Sequence, residues 1–226
     1  MPEASFAAAA MRNSEPILGV LRTVLDDCRS LLEIGSGTAQ HAVYFATALP
    51  NLDWQTSDLE ENHDLIRTRL AEAGLPNVRP PQLIDMEAPP ATGAAYDAVY
   101  SCNTMHIMSM AAVQNFLPYV AAALRDGGLF IYYGAFRRGG RYSTETNAAF
   151  DRSLRQRDPR MGLRELDEVD RLAAAAGLVR ERIYAMPANN LLVTWIKTDR
   201  SGDPGGVCAG RRVVPSPLIQ SSQATA

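Results

Sequence analysis

A glycine-rich run between an apolar strand and an apolar helical pattern restricts the fold more than any other stretch of this sequence. Residues 31–46 read LLEIGSGTAQHAVYFA, with glycines at 35 and 37. Glycine lets the backbone adopt left-handed dihedral angles and approach a ligand closely. A strand, a glycine turn and a helix in this order are typical of the first unit of a nucleotide-binding α/β fold. The third glycine of the dinucleotide fingerprint is missing, because Gln40 or His41 stands in its place.

Three acidic residues lie at or near the ends of three successive predicted strands. Glu33 precedes the turn, Asp58 ends the second strand and Asp85 ends the third. A carboxylate before the turn disfavours a bare pyrophosphate and favours a cationic ligand such as S-adenosylmethionine, which carries a sulfonium and an ammonium group. Asp58 stands where an acid accepts the two ribose hydroxyls, and Asp85 is placed for the adenine amino group, with Met86 packing on the ring. The alternative is that each acid is only a helix cap or a loop residue. This alternative explains Asp85 alone better than it explains all three acids together.

The rest of the chain predicts an α/β fold, a Rossmann-like doubly wound sheet. Strands alternate with helices as far as Phe136, which indicates a mostly parallel sheet. The last two strands lie too close together for a crossover helix, so they predict an antiparallel pair at the C-terminal edge. Helices are predicted at 12–26, 39–48, 60–73, 111–125, 144–157 and 165–176, and strands at 31–34, 52–58, 78–86, 96–103, 129–136, 178–186 and 190–198.

Length and composition fit one domain. The 226 residues, 46% of them hydrophobic, are enough for one sizeable core, expected over 1–198, with 1–27 as a helical lid and 199–226 as a flexible tail. A net charge of -3 argues against nucleic acid, and no stretch reaches the roughly 18 apolar residues of a membrane span. The three widely spaced cysteines suggest neither disulfides nor zinc, and the first residues do not predict a signal peptide; together these features favour the cytoplasm.

Several longer segments support a resemblance to a known family. Beside RNSEPIL (12–18), the segments YYGAF (132–136), TNAAFDRSLRQRDPRMGLRELDEV (146–169) and MPANN (186–190) are much more specific than the glycine turn. With them, roughly residues 8–197 resemble class I S-adenosylmethionine-dependent methyltransferases, and more closely the family of methyltransferase-like protein 26 and its bacterial relatives. The resemblance implies the fold and the cofactor, and no particular substrate.

The chain departs from that family at three positions near the expected site. Ala39 stands where glycine is usual, which is tolerable if that residue has entered the helix. Thr104 stands where methionine is common, and Phe136 replaces a tyrosine. These two changes alter hydroxyl groups near the expected acceptor pocket and leave a shifted substrate or a different chemistry open.

The candidate residues fall into a cofactor group and a catalytic group. Arg12 suits the carboxylate of the methionine part, with Asn13 as a polar contact beside it. His106 is the candidate general base, since histidine titrates near neutral pH, or else a structural residue of its loop. Asn103 could bind acceptor or cofactor, and the ring of Tyr133 could stabilise the sulfonium. The expected cofactor-binding residues are Arg12, Asn13, Glu33, Gly35, Ser36, Gly37, Gln40, Asp58, Leu59, Asp85, Met86 and Asn103; no metal-ligand spacing occurs.

The sequence therefore predicts an S-adenosylmethionine-dependent methyltransferase acting on a small molecule. One alternative is an enzyme that cyclises the aminobutyryl chain of this cofactor and releases methylthioadenosine. Another is a regulatory protein that binds the cofactor without catalysis, and a nicotinamide dehydrogenase is weaker still. The expected partner is a small-molecule substrate, without nucleic acid or membrane, and a homodimer is left open.

Overall fold

The computed structural model describes residues 3–92 and 96–198, with side chains from Asn13 onward. The predicted tail over 199–226 lies outside these residues. The helices are α1 (Glu3–Val24), α2 (Gln40–Ala48), α3 (His63–Ala73), α4 (Met110–Ala123), α5 (Glu145–Arg157) and α6 (Leu166–Ala175). The strands are β1 (Ser30–Ile34), β2 (Asp53–Asp58), β3 (Val78–Leu83), β4 (Tyr96–Cys102), β5 (Leu124–Gly134), β6 (Phe136–Arg138), β7 (Arg141–Tyr142), β8 (Arg164–Glu165), β9 (Leu178–Met186) and β10 (Asn190–Lys197).

Seven strands form one sheet in the order β3-β2-β1-β4-β5-β10-β9. Strands β1 to β5 are parallel, whereas β10 runs antiparallel to both β5 and β9. The predicted doubly wound sheet with an antiparallel C-terminal pair is therefore confirmed. Within that pair, β10 lies inside the sheet and β9 forms its edge. Because the parallel strands point the same way, the loops after β1, β2, β3 and β4 meet at one edge of the sheet.

Several predicted boundaries are wrong for identifiable reasons. Helix α1 begins at Glu3 and not near residue 12, because the alanine-rich stretch before it has high helix propensity, and Pro16 lies inside the helix. Strand β3 ends at Leu83, so Asp85 lies in the turn that follows. The region 137–143, for which no helix or strand is predicted, contains most of a β6–β7 hairpin that pairs with β8 in a small three-stranded sheet.

Two apolar cores lie on opposite faces of the main sheet. On one face α1 and α2 pack over an aromatic cluster. In this cluster the ring centroids of Phe45 and Trp54 each lie 5.9 Å from that of Tyr100. On the other face α4 and α6 cover a core in which Phe130 stacks on Trp195 at 5.1 Å. These two cores pack against both faces of the sheet, so a site can form from the loops at its carboxyl edge. Within the described ranges, no helix has the length and apolar character needed to cross a bilayer.

Candidate functional site

A cavity of about 260 Å³ opens at the carboxyl edge of the sheet. One side is formed by the ends of β1, β2 and β3, and the other by the loop after β4 and the loop between α5 and β8. Five of the predicted cofactor residues line it: Gly35, Asp58, Leu59, Asp85 and Met86. The facing wall includes Thr104, Ile107, Met108, Asp158, Arg160 and Met161. Among the residues described, no group of three or more His, Cys, Asp or Glu side chains is placed to hold a metal ion.

The glycine turn is held against β2 by its own backbone amides. The N–H groups of Gly35 and Ser36 both donate to the Ser57 carbonyl, at 3.0 and 2.9 Å. The turn then needs left-handed dihedrals, with φ of 78° at Gly35 and 56° at Ala39. Ala39 is the residue before α2 and lies outside the helix. The condition under which alanine would be tolerable there is therefore not met. A non-glycine residue in this region carries a strain of about 1–2 kcal/mol.

Gly35 has no room for a side chain, whereas Gly37 does. A β-carbon at Gly35 would lie 2.5 Å from Cγ2 of Thr104, and one at Gly37 would meet nothing within 4 Å. Both residues have positive φ, so alanine is strained at both. Gly35→Ala is therefore expected to lower the free energy of unfolding by about 1–3 kcal/mol more than Gly37→Ala.

Urea unfolding of the two glycine variants measures this difference. Adding Thr104→Ser to Gly35→Ala removes the clashing methyl group and retains the hydroxyl that lies 2.7 Å from Ser101 Oγ. The double variant should recover most of the difference. Equal stability of the two single variants would contradict the close approach of Thr104 to the turn.

Glu33 lies under the turn and is almost fully buried. Its Oε2 accepts hydrogen bonds from Ser36 Oγ at 2.8 Å and from Trp54 Nε1 at 3.0 Å. Burial raises the pKa of this carboxyl to about 7, because removing the charged form from water costs more than the two hydrogen bonds recover. Near neutral pH, Glu33 is thus poised between its neutral and charged forms, and a nearby cation would favour the charged one.

Asp58 connects the turn to the cavity. Its Oδ2 accepts from the Gly37 N–H at 2.6 Å. Its Oδ1 accepts from the Leu59 N–H and from Asn62 Nδ2, at 2.8 and 2.7 Å. A carboxylate oxygen accepts about two hydrogen bonds, so Oδ2 has capacity left for a donor in the cavity.

His106 lies in the loop after β4 but its side chain does not line the cavity. The imidazole is 3% exposed and packs edge-on against Phe150, with ring centroids 5.2 Å apart. Burial, with the cations of Arg164 and Arg157, lowers its pKa to about 4. The ring is therefore neutral at physiological pH, and its buried Nδ1 has no hydrogen-bond partner in the part of the chain that is described.

Asn103 and Tyr133 come together where β4 and β5 end. The Asn103 N–H donates to the Tyr133 carbonyl at 2.8 Å, and Asn103 has a left-handed φ of 58°. Tyr133 is fully buried, and the side chain of Asn190 at the start of β10 lies near its hydroxyl. A strained backbone such as that of Asn103 is a frequent mark of a functional site.

The sequence also matches a family over most of its length. Residues 4–197 match the family described as "Protein of unknown function (DUF938)". The chain belongs to the DUF938 family. The description of this family names no activity.

Solved methyltransferase structures share this architecture. The apo form of the S-adenosylmethionine-dependent methyltransferase SibL is 22% identical, with a TM-score of 0.72, over 86% of this chain and 57% of SibL. An O-methyltransferase family protein from Burkholderia thailandensis is 17% identical, with a TM-score of 0.73, over 87% of this chain and 60% of its own. An O-methyltransferase family 2 protein from Planctomyces limnophilus, in complex with apigenin, is 16% identical, with a TM-score of 0.74, over 86% and 60%. This DUF938 chain thus has the class I methyltransferase fold and spans 57–60% of these proteins.

The structure does not bring every predicted cofactor residue to the cavity. Gln40 instead lines a more open groove between α1, α2 and α3. Asn13 lies in α1 and is not among the cavity-lining residues, and the side chain of Arg12 lies outside the described residues. Glu33 and Ser36 lie beneath the turn, where Ser36 Oγ donates a hydrogen bond to Glu33 Oε2.

Sequence reasoning missed one wall of the cavity. Asp158, Arg160 and Met161 form it, far along the chain from the glycine turn. They fall inside the segment 146–169 that carried the family resemblance, which was the only signal available. No local pattern indicated that this loop would reach the strand ends, because the contact depends on the tertiary position of α5.

Proposed function

We propose that this protein is an S-adenosylmethionine-dependent methyltransferase that acts on a small molecule. The observation that carries the proposal is the cavity in which Asp58, whose Oδ2 can accept one more hydrogen bond, lies beside the glycine turn. An S-adenosylmethionine molecule with its ribose on Asp58 would place adenine between Asp85 and Met86. The similar folds of SibL and the two O-methyltransferase proteins support this proposal.

Charge around the turn suits this cofactor better than a dinucleotide. Glu33 and Asp58 are close enough for the Asp58 charge to help raise the pKa of Glu33. A pyrophosphate would add negative charge beside two carboxyl groups, whereas a sulfonium and an ammonium group would relieve their repulsion. Gly37 would face the methionine part, with Gln40, Asn13 and Arg12 as further contacts proposed from the N-terminal side. Ser36 would act from below the turn, through its bonds to Glu33 and Ser57.

The acceptor is proposed to bind where β4 and β5 end, near Asn103, His106 and Tyr133. Methyl transfer is an in-line displacement, so the protein chiefly has to align the acceptor and exclude water. His106, with a pKa of about 4, is a weak base. As a base it would take only a proton that becomes strongly acidic as the new bond to carbon forms, and because its ring is buried and does not line the cavity, a structural role in its loop fits the geometry better.

Product analysis tests the proposal directly. The protein, incubated with S-adenosylmethionine carrying a labelled methyl group and an extract of small metabolites, is expected to give S-adenosylhomocysteine and a labelled small molecule. Asp58→Ala serves as the control with weakened cofactor binding and should give less of both products when S-adenosylmethionine is limiting. Release of methylthioadenosine without label transfer would mean cyclisation of the cofactor, and a failure to bind S-adenosylmethionine at all would overturn the assignment.

Kinship with methyltransferase-like protein 26 also stays a proposal, supported by the segment from 146 to 169. A cytoplasmic location, a homodimer and the lack of nucleic-acid binding stay predictions from composition and charge.

A further inference from the structure

Arg164 holds two separate loops through their main-chain carbonyl groups. Its Nε donates to the Met105 carbonyl at 2.9 Å. Its Nη2 donates to the Arg160 carbonyl at 3.1 Å and also to the Met108 carbonyl. Arg164 itself is half-buried in the short strand β8 and is not a cavity-lining residue.

The two loops lie side by side and together form the wall that faces the ends of β1, β2 and β3. The loop after β4 contributes Thr104, Ile107 and Met108, and the loop after α5 contributes Asp158, Arg160 and Met161. The Gly162 N–H donates to the His106 carbonyl at 2.9 Å, which is a further direct bond between these loops. Among the described residues, Arg164 and this amide therefore hold the two halves of the wall together.

The α5 side of the second loop is anchored independently. Asp151, which is 1% exposed, accepts from the Leu163 N–H at 2.6 Å, from Tyr142 Oη at 2.8 Å and from Arg155 Nε at 2.8 Å. This carboxylate fixes the loop to its own helix and makes no bond to the loop after β4. In the part of the chain that the structure describes, Arg164 is thus the side chain whose hydrogen bonds join the two loops of this wall.

We propose that Arg164 is a positioning residue that holds in place the wall of the cavity against which the adenosyl part of the cofactor packs. The inference rests on the proposed function, because the adenosyl group is what that function places between Asp85, Met86 and the facing loop. A guanidinium group suits this role, since its planar fork offers several donors in fixed directions. Lysine would supply charge and length without the fork.

The test compares Arg164→Gln and Arg164→Lys in binding three ligands by calorimetry. The ligands are S-adenosylmethionine, S-adenosylhomocysteine and methylthioadenosine, which share the adenosyl group and differ in charge and tail. We expect Arg164→Gln to weaken all three by a similar factor of about tenfold, or about 1.4 kcal/mol, because the wall that contacts the shared adenosyl group is no longer held in place. Arg164→Lys should lie between this variant and the wild type.

Val24→Ala is the matched control. Val24 is buried in the core between α1 and the sheet, away from the cavity, so this change lowers stability without touching either wall. It should lower the melting temperature and leave all three affinities unchanged. If Arg164→Gln does not fold, Arg164→Lys and the same three ligands remain the test.

Three results have separate meanings. If the Arg164 variants fold with a lowered melting temperature but bind all three ligands as tightly as the wild type, Arg164 is merely structural and the inference is overturned. Weakening confined to S-adenosylmethionine would also overturn it, because the effect would then concern the sulfonium and not the adenosyl group. No binding of any ligand to the wild-type protein would overturn the proposed function itself.

Discussion

Replacing Asp58 by alanine is expected to weaken S-adenosylmethionine binding by about tenfold or more, since a hydrogen bond to a charged group contributes about 1.5–3 kcal/mol. The variant loses the proposed ribose acceptor. It also loses the bond from the Gly37 N–H that shapes the turn and the bonds from Leu59 and Asn62. Calorimetric titration below the melting temperature measures the change.

Asp53→Ala is the matched control for Asp58. Asp53 begins the same strand, β2, and forms an exposed ion pair with Arg79 at 3.2 Å. Such a pair adds little stability, so its loss should leave the affinity unchanged. An Asp58 variant that binds as tightly as the wild type would remove Asp58 from the cofactor site.

The second large effect is a pair of opposed slopes in stability against pH. The pKa of Glu33 is raised from 4.5 to about 7, so between these values the folded state keeps a proton that the unfolded state releases. Stability therefore falls as pH rises through this window, by up to about 3 kcal/mol. The pKa of His106 is lowered from 6.5 to about 4, so the unfolded state takes up a proton first as the pH falls. Stability therefore rises with pH from about 4 to 6.5, by a similar amount.

In the wild type these two slopes oppose each other from about pH 4.5 to 6.5, so they largely cancel. Glu33→Gln leaves the His106 slope alone, and its stability should rise steeply with pH over that range. His106→Gln leaves the Glu33 slope alone, and its stability should fall with pH.

Urea unfolding at half-unit steps of pH from 4.5 to 7.5 measures both slopes. Glu61→Gln, at an exposed position, is the control and should follow the wild-type profile. If either variant kept the wild-type slope, the corresponding group would titrate alike in the folded and unfolded states, and the role given to its burial would be wrong.

The sequence predicted the main sheet well because its signals are local. Apolar strands, a glycine turn and a stop such as Gly74, which ends α3 with a φ of 60°, each depend on neighbouring residues. The placement of Asp58 at the end of β2 and of Asp85 just after β3 could be predicted from the sheet topology, since successive parallel strands end at one edge.

What the sequence did not reveal depends on distant contacts. Arg164 lies 59 positions along the chain from the carbonyl of Met105 to which it donates, and no periodicity indicates such a pair. The low pKa of His106 was equally hidden, because it depends on burial against Phe150 and on two arginines brought near by the α5 region. The main fold thus follows from local patterns, whereas the far wall of the cavity follows from packing.

The buried position of Glu33 has a practical consequence for calorimetry. With a pKa of about 7, this carboxyl is roughly half protonated in a neutral solution. A cation bound beside it would drive a fraction of a proton into the buffer, and the ionisation enthalpy of that buffer would then be part of the measured heat. Titrations in phosphate and in Tris would differ in apparent enthalpy while agreeing on the dissociation constant. The difference in apparent enthalpy would thus give the number of protons that the buried Glu33 carboxyl releases on binding.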